Sequence, residues 1–411
     1  MASKFHVIAN KKVELFDGPI DSMSYAQILA KRMQKKAIDE SFAVMNLDTL
    51  LERFLQWTQL MPRVQPFYAV KCNSDPVLLS VLAKLGCGFD CASRREIQLI
   101  QHLVGPHQIV YANPCKSPGY IAFALQHEVN RTTFDSAEEL TKICAMSQKA
   151  ELILRIRADD PTAECQLGNK FGCEANSEAP RLLELAAQFH QPIVGISFHV
   201  GSGCHDPLSF RRAIEKSRQL FQLATKMGHQ MQILDIGGGF PGDDYNGRLF
   251  AEIATVVGEA LDDYFGDLPS VQIIAEPGRY FATTCMSICA GNLSKNHEAG
   301  SPVFEYYLND GVYSSFNCIV FDHQQPHGQP LFGIHEDTEQ YPSIVWGPTC
   351  DNLDCVETNA MFPRLEVGDW LYYFNMGAYT LAAASNFNGF PTARTYYFMD
   401  QSSWQLIYGS H

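Results

Sequence analysis

From about residue 40 to residue 280 the chain repeats one rhythm, a short apolar run followed by a stretch with apolar residues at helical spacing. Eight runs after the opening SFAVMNL fit strands: PFYAV, GFDCA, IVYAN, TTFDS, LILRIR, GISFHV, ILDIG and QIIAEPG. Segments such as PRLLELAAQFH and RLFAEIATVVGEALDDYFG carry the 3.6-residue period of amphipathic helices between them. Such alternation requires crossover connections and therefore a parallel sheet. Several runs are apolar throughout, as strands covered on both faces must be. Eight units predict a (β/α)8 TIM-like barrel, with a doubly wound open sheet as the competing architecture.

The rhythm stops near residue 280. Beyond it VFEYYLND, YPSIVWGP, WLYYFN and ARTYYFMD read as strands without intervening helical periodicity. The expectation is an α/β barrel plus an all-β unit: residues 36–280 form the barrel and residues 281–411 a C-terminal β-barrel or sandwich domain. Residues 1–35 hold a possible strand, FHVIAN, which is expected to join the β domain.

Charge and cysteine usage narrow the function classes. With 31 basic against 45 acidic residues, net −14, nucleic acid and anionic membranes are disfavoured as partners. Thirteen cysteines lack the short regular spacing of a disulfide scaffold, and neither Cys87 with Cys91 nor Cys350 with Cys355 forms a repeated C-x-x-C, so no metal is expected. A reduced, cytoplasmic protein follows, consistent with an amino terminus lacking an apolar leader core and no run of 18 apolar residues.

In a barrel, reactive groups gather at the carboxyl ends of the strands. Lys71, Asp90, Arg155, His199, Glu276 and the run Gly237, Gly238, Gly239 all fall there. Each has an ordinary alternative: a strand-end lysine usually reaches solvent along its stem, and three glycines can simply make a tight turn. Three phosphate-suited elements nevertheless sit on successive units. These are the glycine run, Ser202 in HVGSGC, and the fixed cation of Arg279 in EPGRYF. A phosphate site that also needs a lysine and a carboxylate points to pyridoxal phosphate, whose aldehyde condenses with a lysine amine and whose ring nitrogen takes an acidic partner.

At these residues the sequence resembles the eukaryotic-type ornithine decarboxylase family, whose members share the alanine-racemase barrel. The resemblance runs through PFYAVKCN, FHVGSG, LDIGGGFPG, EPGRYF, NDGVYSSFNC, FDH, WGPTCDNLD and NMGAYTLAAASNFNGF. It implies that Lys71 is the Schiff-base lysine, that Glu276 partners the pyridine nitrogen, and that His199 stacks on the ring. It also implies that Ser202, Gly239, Arg279 and Tyr379 surround the phosphate, with Asp90 and Arg155 near the cofactor. Family members are homodimers with two shared active sites. Cys350 and Asp351 would enter from the partner chain, and Lys170 would pair with Asp354 across the interface.

The same resemblance implies decarboxylation of L-ornithine, with Cys350 returning a proton to Cα, Asp351 and Asp322 holding the distal ammonium, and Phe387 close by. Phe321 stands where many relatives carry tyrosine, so substrate affinity is expected to differ. KSPGYIAFALQHEVNR, where vertebrate relatives bind the regulatory antizyme, contains only Lys116 and Arg131 as fixed positive charges. Weak or absent antizyme binding is expected. The alternatives are a decarboxylase of lysine, arginine or diaminopimelate, and a non-catalytic protein resembling the antizyme inhibitors.

Overall fold

In this computed structural model, the described residues are 4–158, 162–243, 247–298, 300–333 and 339–409. They form two compact units, residues 53–281 and residues 1–52 with 282–411.

The first unit is a closed barrel of eight parallel strands: Val64–Ala69, Gly88–Cys91, Ile109–Tyr111, Arg131–Phe134, Glu151–Arg157, Ile193–His199, Ile233–Asp235 and Gln272–Ala275. These are the eight apolar runs read from the sequence, in order, and the open-sheet alternative is excluded by the pairing of the last strand with the first. Phe67, Val110, Ile153, Val194, Ile233 and Ile274 meet in one buried cluster. Fully burying such side chains stabilises by about 1.5–3 kcal/mol each. Gly88 leaves the room this packing needs, because a Cβ there would lie 2.6 Å from the Phe67 ring.

Local signals place the helices around it. Asp75 accepts from the backbone of Val77 at 2.9 Å and Leu78 at 3.2 Å and starts the helix Pro76–Leu85, with Pro76 in the first turn. That helix stops at Gly86, whose φ of +101° suits a residue without a side chain. Ser93 and Ser136 cap the next starts by accepting from Glu96 and Glu139, three residues on.

The second unit holds a ten-stranded sheet that forks at the long strand Met286–Asn296, which pairs with Phe42–Asn46, Trp370–Tyr373 and Phe304–Leu308. The amino-terminal strands Lys4–Ile8 and Lys11–Phe16 pair with each other, and the second also pairs with Arg394–Asp400. Residues 36–52, assigned to the barrel by the sequence rhythm, cluster here instead. The reason is that Phe42–Asn46 lies between Met286–Asn296 and Arg394–Asp400. Tyr25, Leu29 and Met33 of the helix Ser22–Gln34 cover this sheet, against Phe42, Trp370 and Phe398. Among the described residues no helix is long and apolar enough to cross a membrane.

Candidate active site

The barrel mouth collects the chemistry. Lys71 follows the first strand in a single tight turn, Val70–Cys72, which points its ammonium at the carboxylate of Asp90 near the end of the second strand. Asp90 is fully buried and its other oxygen receives no hydrogen bond among the described residues, whereas Lys71 remains 43% exposed. The ion pair is thus open on the lysine side. Arg155, on the fifth strand, lies with its guanidinium 5.6 Å from the Phe171 ring centre.

His199 ends the sixth strand. Its Nδ1 accepts from the Gly201 N–H at 3.0 Å, so the neutral ring carries its proton on Nε2. Burial, reinforced by the positive charges of Arg155 and Lys71, pushes its pKa well below the usual range. It is therefore a flat neutral ring at neutral pH.

The glycines set the shape around it. Gly237, at φ +65°, hydrogen-bonds through its carbonyl to the Glu276 N–H at 2.6 Å, and a Cβ on Gly237 would lie 2.1 Å from the Phe198 carbonyl oxygen. A Cβ on Gly238 would meet the His199 ring at 2.8 Å, and one on Gly239, at φ +107°, the Gly201 carbonyl oxygen at 2.6 Å. Gly237→Ala must therefore both strain φ and displace backbone, a cost of about 3 kcal/mol or more. A clearly lowered thermal midpoint is the expected result; an unchanged midpoint would contradict this close packing. Beside the glycines, the Arg279 Nε–H donates to Ser202 Oγ at 2.8 Å.

Glu276 follows the last strand and is 9% exposed. Burial and the nearby Asp235 and Asp90 carboxylates hold its pKa well above the usual carboxylate range. Asp235, in ILDIGGG beside the glycine run, is not among the residues that the sequence singles out. It is completely buried, and its Oδ1 accepts from the Gly237 N–H at 2.9 Å.

The remaining expected site residues lie in the sheet unit. Cys350 is exposed, with Asn388 Nδ2 at 3.8 Å from its sulfur. Asp351 accepts from the Leu353 N–H at 3.0 Å and from the Tyr313 hydroxyl, and these contacts hold its carboxylate below the usual range. Tyr313 stacks on Phe387 with ring centres 4.3 Å apart. Tyr313 and Asn388 both stand inside motifs quoted from the sequence, but only their side-chain contacts single them out. Phe321 and Asp322 end a separate short helix, Phe321 being 71% exposed and Asp322 buried. Tyr379 adopts φ +54°, an uncommon conformation for an aromatic residue.

Asp354 is buried and already accepts from the backbone N–H of Val312 at 2.8 Å and of Thr349 at 3.0 Å, and from the Thr349 hydroxyl at 2.7 Å. Lys170 lies with its ammonium 5.2 Å from the Phe171 ring centre.

Residues 47–283 match the family described as pyridoxal-dependent decarboxylase, pyridoxal binding domain, and residues 198–377 match its C-terminal sheet domain. The chain is 49% identical to the ornithine decarboxylase of Panagrellus redivivus over 97% of this chain and 95% of that one. The chain belongs to the pyridoxal-dependent decarboxylases. It is also 42% identical to antizyme inhibitor 2 of Xenopus laevis, over 92% of this chain and 87% of that one. Among solved structures, the arginine decarboxylase of Paramecium bursaria Chlorella virus, bound to agmatine, superposes with a TM-score of 0.86 at 39% identity, covering 90% of this chain and 99% of that one.

The decarboxylase cofactor, pyridoxal phosphate, fits the residues present in the barrel. A half-exposed amine faces an aldehyde's requirements, and a glycine cradle that no Cβ could share lies beside a guanidinium and a hydroxyl suited to phosphate. A buried neutral imidazole offers a flat face, and a buried carboxyl a partner for a ring nitrogen.

Proposed function

We propose that this protein decarboxylates L-ornithine to putrescine and carbon dioxide, the first step of polyamine biosynthesis. The observation that carries the reading is the cluster at the barrel mouth, Lys71 with Asp90, His199, Glu276 and the Ser202–Arg279 pair.

When bound, pyridoxal phosphate supplies an aldehyde that condenses with amines and a protonated ring that draws off the electron pair left at Cα as carbon dioxide departs. Lys71 presents the amine. The Gly237 to Gly239 turn, Ser202, Arg279 and Tyr379 would hold the phosphate, and His199 would offer its flat ring to the cofactor. Glu276 would serve the ring nitrogen, with Asp90 and Arg155 balancing charge nearby. Cys350 gives its S–H proton to Cα, forming the C–H bond that replaces the broken C–C bond.

Asp351 and Asp322 take the distal ammonium, and Phe387 flanks the substrate chain. Asp351 is held ionised by its own neighbours, which suits it to a cation. Phe321 cannot offer the hydroxyl of a tyrosine at its position, so affinity rather than the chemistry should shift. The working unit is a homodimer in which Cys350 and Asp351 complete the site of the other copy, with Lys170 and Asp354 helping to fix its register. Antizyme binding is weak or absent: Lys116 is buried and bonded within its own unit, and the Arg131 guanidinium is engaged by Glu151 and the His107 carbonyl, leaving little positive charge on offer.

The test is Asp351→Ala. Loss of a charge-assisted hydrogen bond is worth about 1.5–3 kcal/mol, so kcat/KM for ornithine should fall roughly 10- to 150-fold while cofactor affinity stays unchanged. An unaltered kcat/KM would remove Asp351 from ornithine recognition and overturn the substrate reading.

A further inference from the structure

The strand Cys355–Phe362, which ends the sheet path, is bulged on both sides of one acidic residue. Against the strand Tyr341–Trp346, Ser343 faces Ala360, Val345 faces Glu357 and Trp346 faces Cys355, so an extra residue enters the outer strand before Glu357 and another after it. Bulges break the alternation of a strand and re-aim its side chains. A regular strand would send Val356 and Glu357 to opposite faces. Here both are withdrawn from solvent, Val356 at 5% exposure and the Glu357 side chain at 10%.

Glu357 lines a cavity of about 250 Å³ that it shares with the turn from Gln324 to His327. The Gly328 N–H donates to its Oε2 at 3.0 Å, and the His327 Nδ1 lies 3.2 Å from its Oε1. The His327 side chain is 74% exposed. One carboxylate oxygen is therefore held by the backbone, whereas the other faces a ring that stands largely in water. Burial raises the Glu357 carboxyl above the usual range, and the Gly328 N–H and the His327 ring pull it back. A cation entering the cavity would add to that compensation.

The lining excludes other classes of ligand. No lysine or arginine lines the cavity, so an anion would meet no fixed cation. Among the described residues no three side chains of metal-ligating type come together, and Cys355 turns its thiol to the Val345 carbonyl at 3.6 Å. The amides of Gln324 and Asn359 and the hydroxyl of Thr358 complete the polar wall and offer acceptors for N–H groups. The volume falls below the roughly 300–1,000 Å³ of pockets for drug-sized ligands and suits a molecule of a few heavy atoms.

We propose that this cavity is a second small-molecule site, taking an aliphatic primary amine whose ammonium pairs with Glu357 Oε1 as the exposed His327 ring swings aside. The alkyl chain then lies against Ile319 and Val356. None of these residues belongs to the set assigned to ornithine or to pyridoxal phosphate. No covalent bond is made or broken, and His327 exchanges one contact for water.

The test is equilibrium dialysis of labelled putrescine against the protein loaded with pyridoxal phosphate. It is carried out in an Asp351→Ala background, which removes an ammonium contact proposed for the decarboxylation site. Saturable binding is expected, weakened at least about 10-fold by Glu357→Gln, the scale of a lost charge-assisted hydrogen bond. His327→Ala should leave it as tight or make it tighter. Butane-1,4-diol, of the same length but uncharged, should not displace the amine.

Absence of saturable binding would overturn the proposal, as would affinity fully retained in Glu357→Gln or displacement by the diol. A loss of binding in His327→Ala would contradict the exchange of that ring for the ammonium. Glu357→Gln keeps an acceptor for the Gly328 N–H and should fold. If its thermal midpoint falls nonetheless, Thr358→Lys decides: an ammonium tethered at the wall should abolish binding, and unchanged affinity there would overturn the site. An error in the ornithine reading leaves these outcomes untouched, because Glu357 takes no part in it.

Discussion

A Lys71→Ala protein should remain folded and lose at least about 10³-fold in decarboxylation rate, the scale on which removal of a reacting group appears in kcat. Folding should survive because Lys71 is half exposed and contributes no barrel core. The cost falls on chemistry: no other described amine faces Asp90, whose buried carboxylate is left without its cation. Cys350→Ala should be similarly poor, through loss of the Cα proton donor. If each site takes Lys71 from one copy and Cys350 from the other, an equal mixture with free exchange should recover about a quarter of wild-type activity. Half of the dimers are then mixed, and each mixed dimer keeps one intact site of two. Absence of recovery despite demonstrated exchange would show that both residues act within one chain.

The largest expected effect on stability lies away from the chemistry. Glu139 is almost completely buried between Lys116, whose ammonium is 2.9 Å away, and Lys142. Lys116 is itself buried and donates to the carbonyls of Asn113 at 2.8 Å and Thr133 at 2.7 Å. Burial pulls the Lys116 pKa down and Glu139 pulls it back up. Glu139→Gln removes the negative charge that Lys116 and Lys142 share and leaves a buried ammonium uncompensated, at a cost of about 3–5 kcal/mol. In a unit of this size that is a fall of roughly 10 °C in thermal midpoint. Lys142→Met, which removes a partner nearer the surface, should cost about 1 kcal/mol or less. Equal effects of the two substitutions would contradict the placement of Glu139 as the hub.

The barrel was legible because its strands are short runs that alternate with helical periodicity, and some of its helices begin at a side-chain cap. The Ser93 and Ser136 caps, each with a glutamate three residues on, are visible in the sequence and present in the structure. The sheet was legible only as a run of strands. Its fork at Met286–Asn296 joins segments more than 200 residues apart, and nothing local in Phe42–Asn46 says that it pairs with residues near 290 and near 396. The same gap moved residues 36–52 out of the expected barrel.

At the site, the residues at strand ends could be picked out by position alone. Asp235 could not, because its complete burial follows from how the closing strands pack and not from any local pattern. Lys116 is the converse case. In KSPGY a lysine beside a turn reads as a solvated charge, whereas three buried acceptors hold it inside.

The most direct measurement is release of carbon dioxide from L-ornithine, L-lysine and L-arginine, each supplied separately to the purified protein loaded with pyridoxal phosphate. The account predicts release dominated by ornithine, with putrescine formed in equal amount. Preference for lysine or arginine would contradict the assignment of Asp351 and Asp322 to the ornithine ammonium, and no release from any of the three would contradict the assignment of catalysis to this chain.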